Sequence, residues 1–298
     1  MAKPQYFNDS NFDIQSEDLC KELIRLQDYK GIVKSQNKSL VSYTVEEEMK
    51  IPNLSLEELD KSTVESCIKN LQESFQFNMF IPEICQTRIC EDEISKKFVT
   101  IGFTYHLPKI FFLPFEVAKE AYYNEHMFRE FGRRIALGER DYLVQQILNN
   151  QEIAKSEVDL SPDSILEAVE KIRSKGMTPN VIFVPIKDEL EMMKWSGKTY
   201  VKYDYSDKRS LTNASLVSDK YELKIVPPLG DVPKKDIILM SNSAVTWSVR
   251  IFPNNSALYV AFGNSRLYPL RFVDLMVGTK ANCEIKPAGI SILKINRI

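Results

Sequence analysis

Residues 115–184 read FEVAKEAYYNEHMFREFGRRIALGERDYLVQQILNNQEIAKSEVDLSPDSILEAVEKIRSKGMTPNVIFV, and the order of elements in this stretch decides the fold. From Phe115 to about Leu148 the pattern is helical. Val117, Ala121, Phe128, Phe131 and Ile135 follow steps of four, seven, three and four, and Tyr142, Leu143 and Ile147 extend the series. About 34 residues at helical rise would span roughly 50 Å. Gly132 and Gly138 weaken or bend such a helix, each by about 1 kcal/mol relative to alanine. Two ordinary core helices broken at Gly138 satisfy the same pattern. A single helix of this length needs an extended sheet or neighbouring chains to cover it.

The next element has well-marked ends. Ser161 stands at the N-cap, Pro162 at the first helical position, and Asp163 favours the positive end of the dipole. Ile165, Val169 and Ile172 form the inward stripe, and Gly176 supplies a left-handed stop. Val181–Val184 is a continuous apolar run, as in a strand covered on both faces. Asp188–Trp195 reads as a short second helix ending at Gly197. Helix, strand and helix beside further strands imply a small α/β layer.

Outward from this centre, residues 1–15 read as disordered and Ser16 to Ile32 as an amphipathic helix carrying Leu19, Leu23, Ile24 and Leu26. Leu40–Val45 is a candidate strand, and a second helix starts near Leu56, where Ser55 and Glu58 make a capping box, and runs to Ser74. Gln76–Ile81 and Phe98–Tyr105 alternate as strands, with the charged run Cys90–Lys97 between them as the tip of a projecting hairpin. Beyond residue 198 the chain is mostly β, with strands expected at Thr199–Tyr203, Tyr221–Val226, Ile237–Met240, Val245–Ile251, Ala257–Phe262, Leu267–Val277 and Ile290–Ile295. Ser206–Ser218 reads as an exposed polar loop.

The 298 residues, 44% hydrophobic, suffice for one large domain or two joined ones. A net charge of -2 creates no field that would draw the protein onto nucleic acid or an anionic membrane. No apolar run reaches the roughly 20 residues that span a bilayer, and MAKPQYFNDSNFD has no signal-peptide core. The five cysteines Cys20, Cys67, Cys85, Cys90 and Cys283 are irregularly spaced, without a C-x-x-C. They read as buried or idle thiols rather than zinc ligands, although Cys85 and Cys90 would face each other in a hairpin.

Catalytic patterns are absent. There is no phosphate loop, no G-x-G-x-x-G and no G-x-S-x-G elbow. Glu46–Glu48 and Glu91–Glu93 lack the spacing of a calcium loop and read as solvated charge. His106 and His126 flank aromatic or apolar residues and read as structural. Glu139 and Asp141, two apart on a helix, diverge and cannot act as a paired acid and base. The reading is therefore not an enzyme, with no catalytic residues, metal or cofactor.

Several stretches resemble, in the family's own order, the shell protein shared by tailed-phage major capsids and encapsulins. Phe98–Glu120 (FVTIGFTYHLPKIFFLPFEVAKE) is similar to the strand that returns from the extended loop and feeds the spine helix, and Phe131–Leu148 (FGRRIALGERDYLVQQIL) to the end of that helix. Asp159–Trp195 resembles the opening of the axial domain, Tyr221–Met240 its later strand, proline-bearing turn and strand, and Asn282–Ile295 (NCEIKPAGISILKI) the closing segment. The resemblance covers roughly residues 98–298.

It implies an α+β protein of the Hong Kong 97-type capsid fold. Residues 1–74 would form an N-terminal arm with helices, 75–114 an extended β-hairpin loop, and 115–158 the spine helix of a peripheral domain. Residues 159–262 would form an axial domain, and 263–298 C-terminal strands returning to the peripheral domain. The expected function is a structural protein that self-assembles into an icosahedral shell, first the major capsid protein of a tailed virus or provirus. The alternatives are an encapsulin nanocompartment enclosing a cargo enzyme and, from another class, an α/β enzyme with an unrecognised site. The expected partners are further copies of the chain, in pentamers with or without hexamers, and a packaged genome or cargo protein in the lumen, with no membrane. The expected location is the virion capsid, assembled in the host cytoplasm. Glu91, Asp92, Glu93, Lys96 and Lys97 are the candidate contacts between subunits.

Overall fold

The computed structural model describes residues 5–9, 53–79, 81–90, 98–113, 121–203, 214–226, 235–252, 257–265 and 269–296. In chain order the elements are β1 (Gln5–Asp9), α1 (Lys61–Phe77), α2 (Ile81–Ile84), β2 (Gln86–Cys90), β3 (Phe98–Pro108) and α3 (Ala121–Asn149). They are followed by β4 (Ala154–Val158), α4 (Pro162–Arg173), β5 (Val181–Phe183), α5 (Ile186–Met192), β6 (Thr199–Tyr203), β7 (Ala214–Ser218) and β8 (Glu222–Val226). Last come β9 (Asp236–Met240), β10 (Val245–Arg250), β11 (Leu258–Asn264), β12 (Phe272–Ile285) and β13 (Ile290–Ile295). The protein is α+β and divides into two units, Met1–Met79 with Ile89–Gly138 and Val249–Asn282, and Phe80–Arg88 with Glu139–Ser248 and Cys283–Ile298.

In the first unit, the apolar series on α3 meets one face of a sheet. Met127, Phe128, Phe131, Ile135 and Ala136 are buried against Phe103, Tyr105 and Leu107 of β3 and Val273, Leu275 and Val277 of β12. Those strand residues face each other across the antiparallel ladder as Phe103↔Val277, Tyr105↔Leu275 and Leu107↔Val273, so period-two alternation turns them to one side. Tyr105 stacks on Phe131 at 3.5 Å between ring centroids. Burying a side chain such as Phe131 stabilises the unit by about 1.5–3 kcal/mol. β12 lies between β3 and β11, and α1 adds Cys67, Leu71 and Phe75 to the same core.

The second unit is a sheet of seven strands in the order β4-β13-β9-β5-β8-β7-β6. β4 is parallel to β13 and β5 to β8, and the other pairs are antiparallel. Ile165, Ala168, Val169 and Ile172 of α4 and Met192 of α5 are buried against Ile182, Leu223, Ile225, Ile237, Leu239 and Leu293. The start of α4 is as expected. Ser161 Oγ accepts from the Ser164 amide at 3.2 Å, and Ser164 Oγ accepts from the Ser161 amide at 3.1 Å. The stop at Gly176 has φ of +81°.

Several expectations need correction. Helix α3 is unbroken through Gly132 and Gly138, so the two-helix alternative does not hold, and its described residues begin at Ala121. The hairpin reading also fails. Over Phe98–Gly102, β3 has β1 on one side, and over most of its length it has β12 on the other, so Gln86–Cys90 is not its partner. The near-complete burial of β3 is that of a central strand, whereas Gln86–Ile89 are exposed. The alternating stretch Gln76–Ile81 is not a strand, because Gln76 and Phe77 finish α1 and Ile81 opens α2. Helix α1 starts at Lys61 rather than Leu56. The Ser55 amide does donate to the Glu58 carboxylate, but the cap is Asp60, which accepts from the Thr63 amide at 2.8 Å.

Residues 5–9, read as disordered, form β1, which adds to the edge of β3 through backbone hydrogen bonds that need no apolar pattern. Ala214–Ser218, read as loop, is a strand between β6 and β8. Helix α5 runs from Ile186 to Met192 rather than from Asp188 to Trp195. The closing strand β13 pairs with β9 and β4 in the second unit's sheet, while β12 is the C-terminal strand that packs with α3. The expected helix at Ser16–Ile32 and strand at Leu40–Val45 lie outside the described residues.

Candidate assembly surfaces

Polar groups inside the first unit are arranged to hold it rigid. His106 Nδ1 lies 3.0 Å from Asp274 Oδ1, a cross-strand pair between residues in register on β3 and β12. The imidazole also stacks on Phe272, with centroids 4.4 Å apart and planes 6° from parallel. Asp274 is buried, so the pair acts as a register lock between strands distant in sequence. His126, by contrast, is exposed on α3 and is not a core histidine.

Lys109 forms a second lock. Its side chain is fully buried, and its ammonium donates to the carbonyls of Leu54 at 2.7 Å and Pro269 at 2.6 Å and to Asn264 Oδ1 at 2.9 Å. Burial pulls its pKa below the ordinary lysine value, against the opposing attraction of Glu58. The lysine thus ties residue 54 to the end of β11 and to the turn that precedes β12. Two backbone bonds reinforce the join, from the Leu54 amide to the Leu270 carbonyl at 2.6 Å and from the Lys109 amide to the Arg271 carbonyl at 2.8 Å.

Cys67 and Cys85 are buried, and burial raises the thiols of Cys67 and Cys283 to about 12 and that of Cys85 well above its ordinary value, which keeps all three protonated. Arg140 Nη2 donates to Asp141 Oδ1 at 2.6 Å, so Asp141 is an ion-pair partner rather than half of an acid pair with Glu139. Among the described residues no group of three or more His, Cys, Asp or Glu could hold a metal ion, and no helix is long and apolar enough to cross a membrane.

The exposed surface is more informative. Glu91, Asp92, Glu93, Lys96 and Lys97, the expected contacts between subunits, lie outside the described residues. The strand that leads into them, β2, exposes Ile89 at 70% of its surface. In the second unit, α5 turns Ile186, Leu190 and Met193 to solvent at 57%, 55% and 48%, and the neighbouring β6 exposes Tyr200 and Tyr203. No sequence pattern marks this stripe as external, because Met192 of the same helix points into the core.

No protein-family profile and no curated protein matches the chain. Solved structures do. The virus-like particle from Pyrococcus furiosus is 11% identical, with a TM-score of 0.53 over 77% of this chain and 98% of that one. The capsid of a native GTA particle is 11% identical, with a TM-score of 0.43 over 89% of this chain and 98% of that one. A chain of Mycobacterium phage Cain is 9% identical, with a TM-score of 0.44 over 74% and 91%. The likeness to the Pyrococcus particle shows a shared fold.

Proposed function

We propose that this protein is a shell subunit that self-assembles into a closed icosahedral particle, and that the particle is the capsid of a tailed virus or provirus. The observation that carries the reading is the match of fold over 98% of the Pyrococcus virus-like particle chain. The physical reading agrees with it. In the first unit a 29-residue helix covers a sheet whose strands and turns are tied by buried polar locks, which makes that unit a rigid block. Rigid blocks with repeated identical contacts close into shells.

In this reading α3 is the spine of a peripheral domain and the second unit is the axial domain. Residues 91–97, at the end of the exposed strand β2, lie on a neighbouring subunit. Their charges, acidic at Glu91, Asp92 and Glu93 and basic at Lys96 and Lys97, supply specificity rather than affinity, because exposed ion pairs contribute only about 0–1 kcal/mol each. The second reading is a cargo-enclosing compartment of the encapsulin kind. It is kept because the fold match is to a particle described as virus-like. Expression with the neighbouring genes, followed by analysis of what co-purifies inside the particles, separates the two. Packaged DNA supports the capsid, and an enclosed enzyme overturns it in favour of the compartment.

A further inference from the structure

No further inference is drawn: the strongest candidate, the outward apolar face of α5 formed by Ile186, Leu190 and Met193 beside the exposed Tyr200 and Tyr203 of β6, carries nothing because nothing in the structure shows what covers it.

Discussion

A methyl group added at Gly132 would lie 2.2 Å from the carbonyl oxygen of Leu71, so α3 and α1 touch backbone to backbone at this point. The same Cβ would meet the Phe75 amide nitrogen at 2.7 Å. Glycine here is a packing requirement rather than a weak point in the helix. Gly132→Ala gains about 1 kcal/mol of helix propensity, yet is expected to lower subunit stability by a net of about 1–3 kcal/mol through overpacking. Urea denaturation of the purified subunit checks this, and a variant more stable than wild type would contradict the close approach.

Lys109→Met keeps most of the buried stem and removes the three donors. The carbonyls of Leu54 and Pro269 and the Asn264 amide oxygen lose their partner, and the expected loss is about 2 kcal/mol or more. Lys109→Arg should not rescue it, because a planar fork does not fit three acceptors arranged around a point charge. Proteolysis of the Lys109→Met subunit is expected to cut early near residues 53–60, the segment the lysine holds.

Acid sensitivity should trace in part to Glu130. Burial works to raise its pKa, but hydrogen bonds from Arg133 at 2.7 Å and Arg134 at 3.0 Å outweigh it and hold the carboxyl below its ordinary 4.5. A depressed folded pKa means that the unfolded chain binds more protons. The stabilisation is therefore complete above 4.5 and is lost as pH falls through the folded value. Glu130→Gln should flatten the stability-versus-pH curve in that window. A variant with the wild-type slope would remove Glu130 from the account.

Much of this arrangement was legible in the sequence and some was not, for identifiable reasons. Phe128, Phe131 and Ile135 mark the buried face of α3 by period alone, and Ser161, Pro162 and Gly176 mark the limits of α4 through local chemistry. Local patterns did not reveal pairing. The strand Phe98–Pro108 was recognisable, but its partner β12 begins 164 residues after Pro108, at Phe272, and the lock between His106 and Asp274 spans 168 residues. β1 and β4 have no apolar alternation to announce them, because β1 pairs with an edge through its backbone and β4 keeps most of its side chains in water. The outward stripe on α5 was invisible for the opposite reason, because apolar residues at helical spacing signal a core.

Replacing residues 91–97 with a Gly/Ser segment of the same length, which keeps the connection between β2 and β3, should leave a subunit that melts as the wild type does but assembles poorly, because that segment is proposed to act on a neighbour. Chromatography and calorimetry on the same preparation read both properties. Wild-type particle yield from the replacement would remove the segment from the assembly contacts.

The most direct test of the central claim is negative-stain microscopy of the purified recombinant protein, with light scattering for mass. The account predicts closed, uniform particles built of many copies. A protein that remains a monomer or small oligomer across concentration and ionic strength would contradict it and favour an α/β protein that works alone.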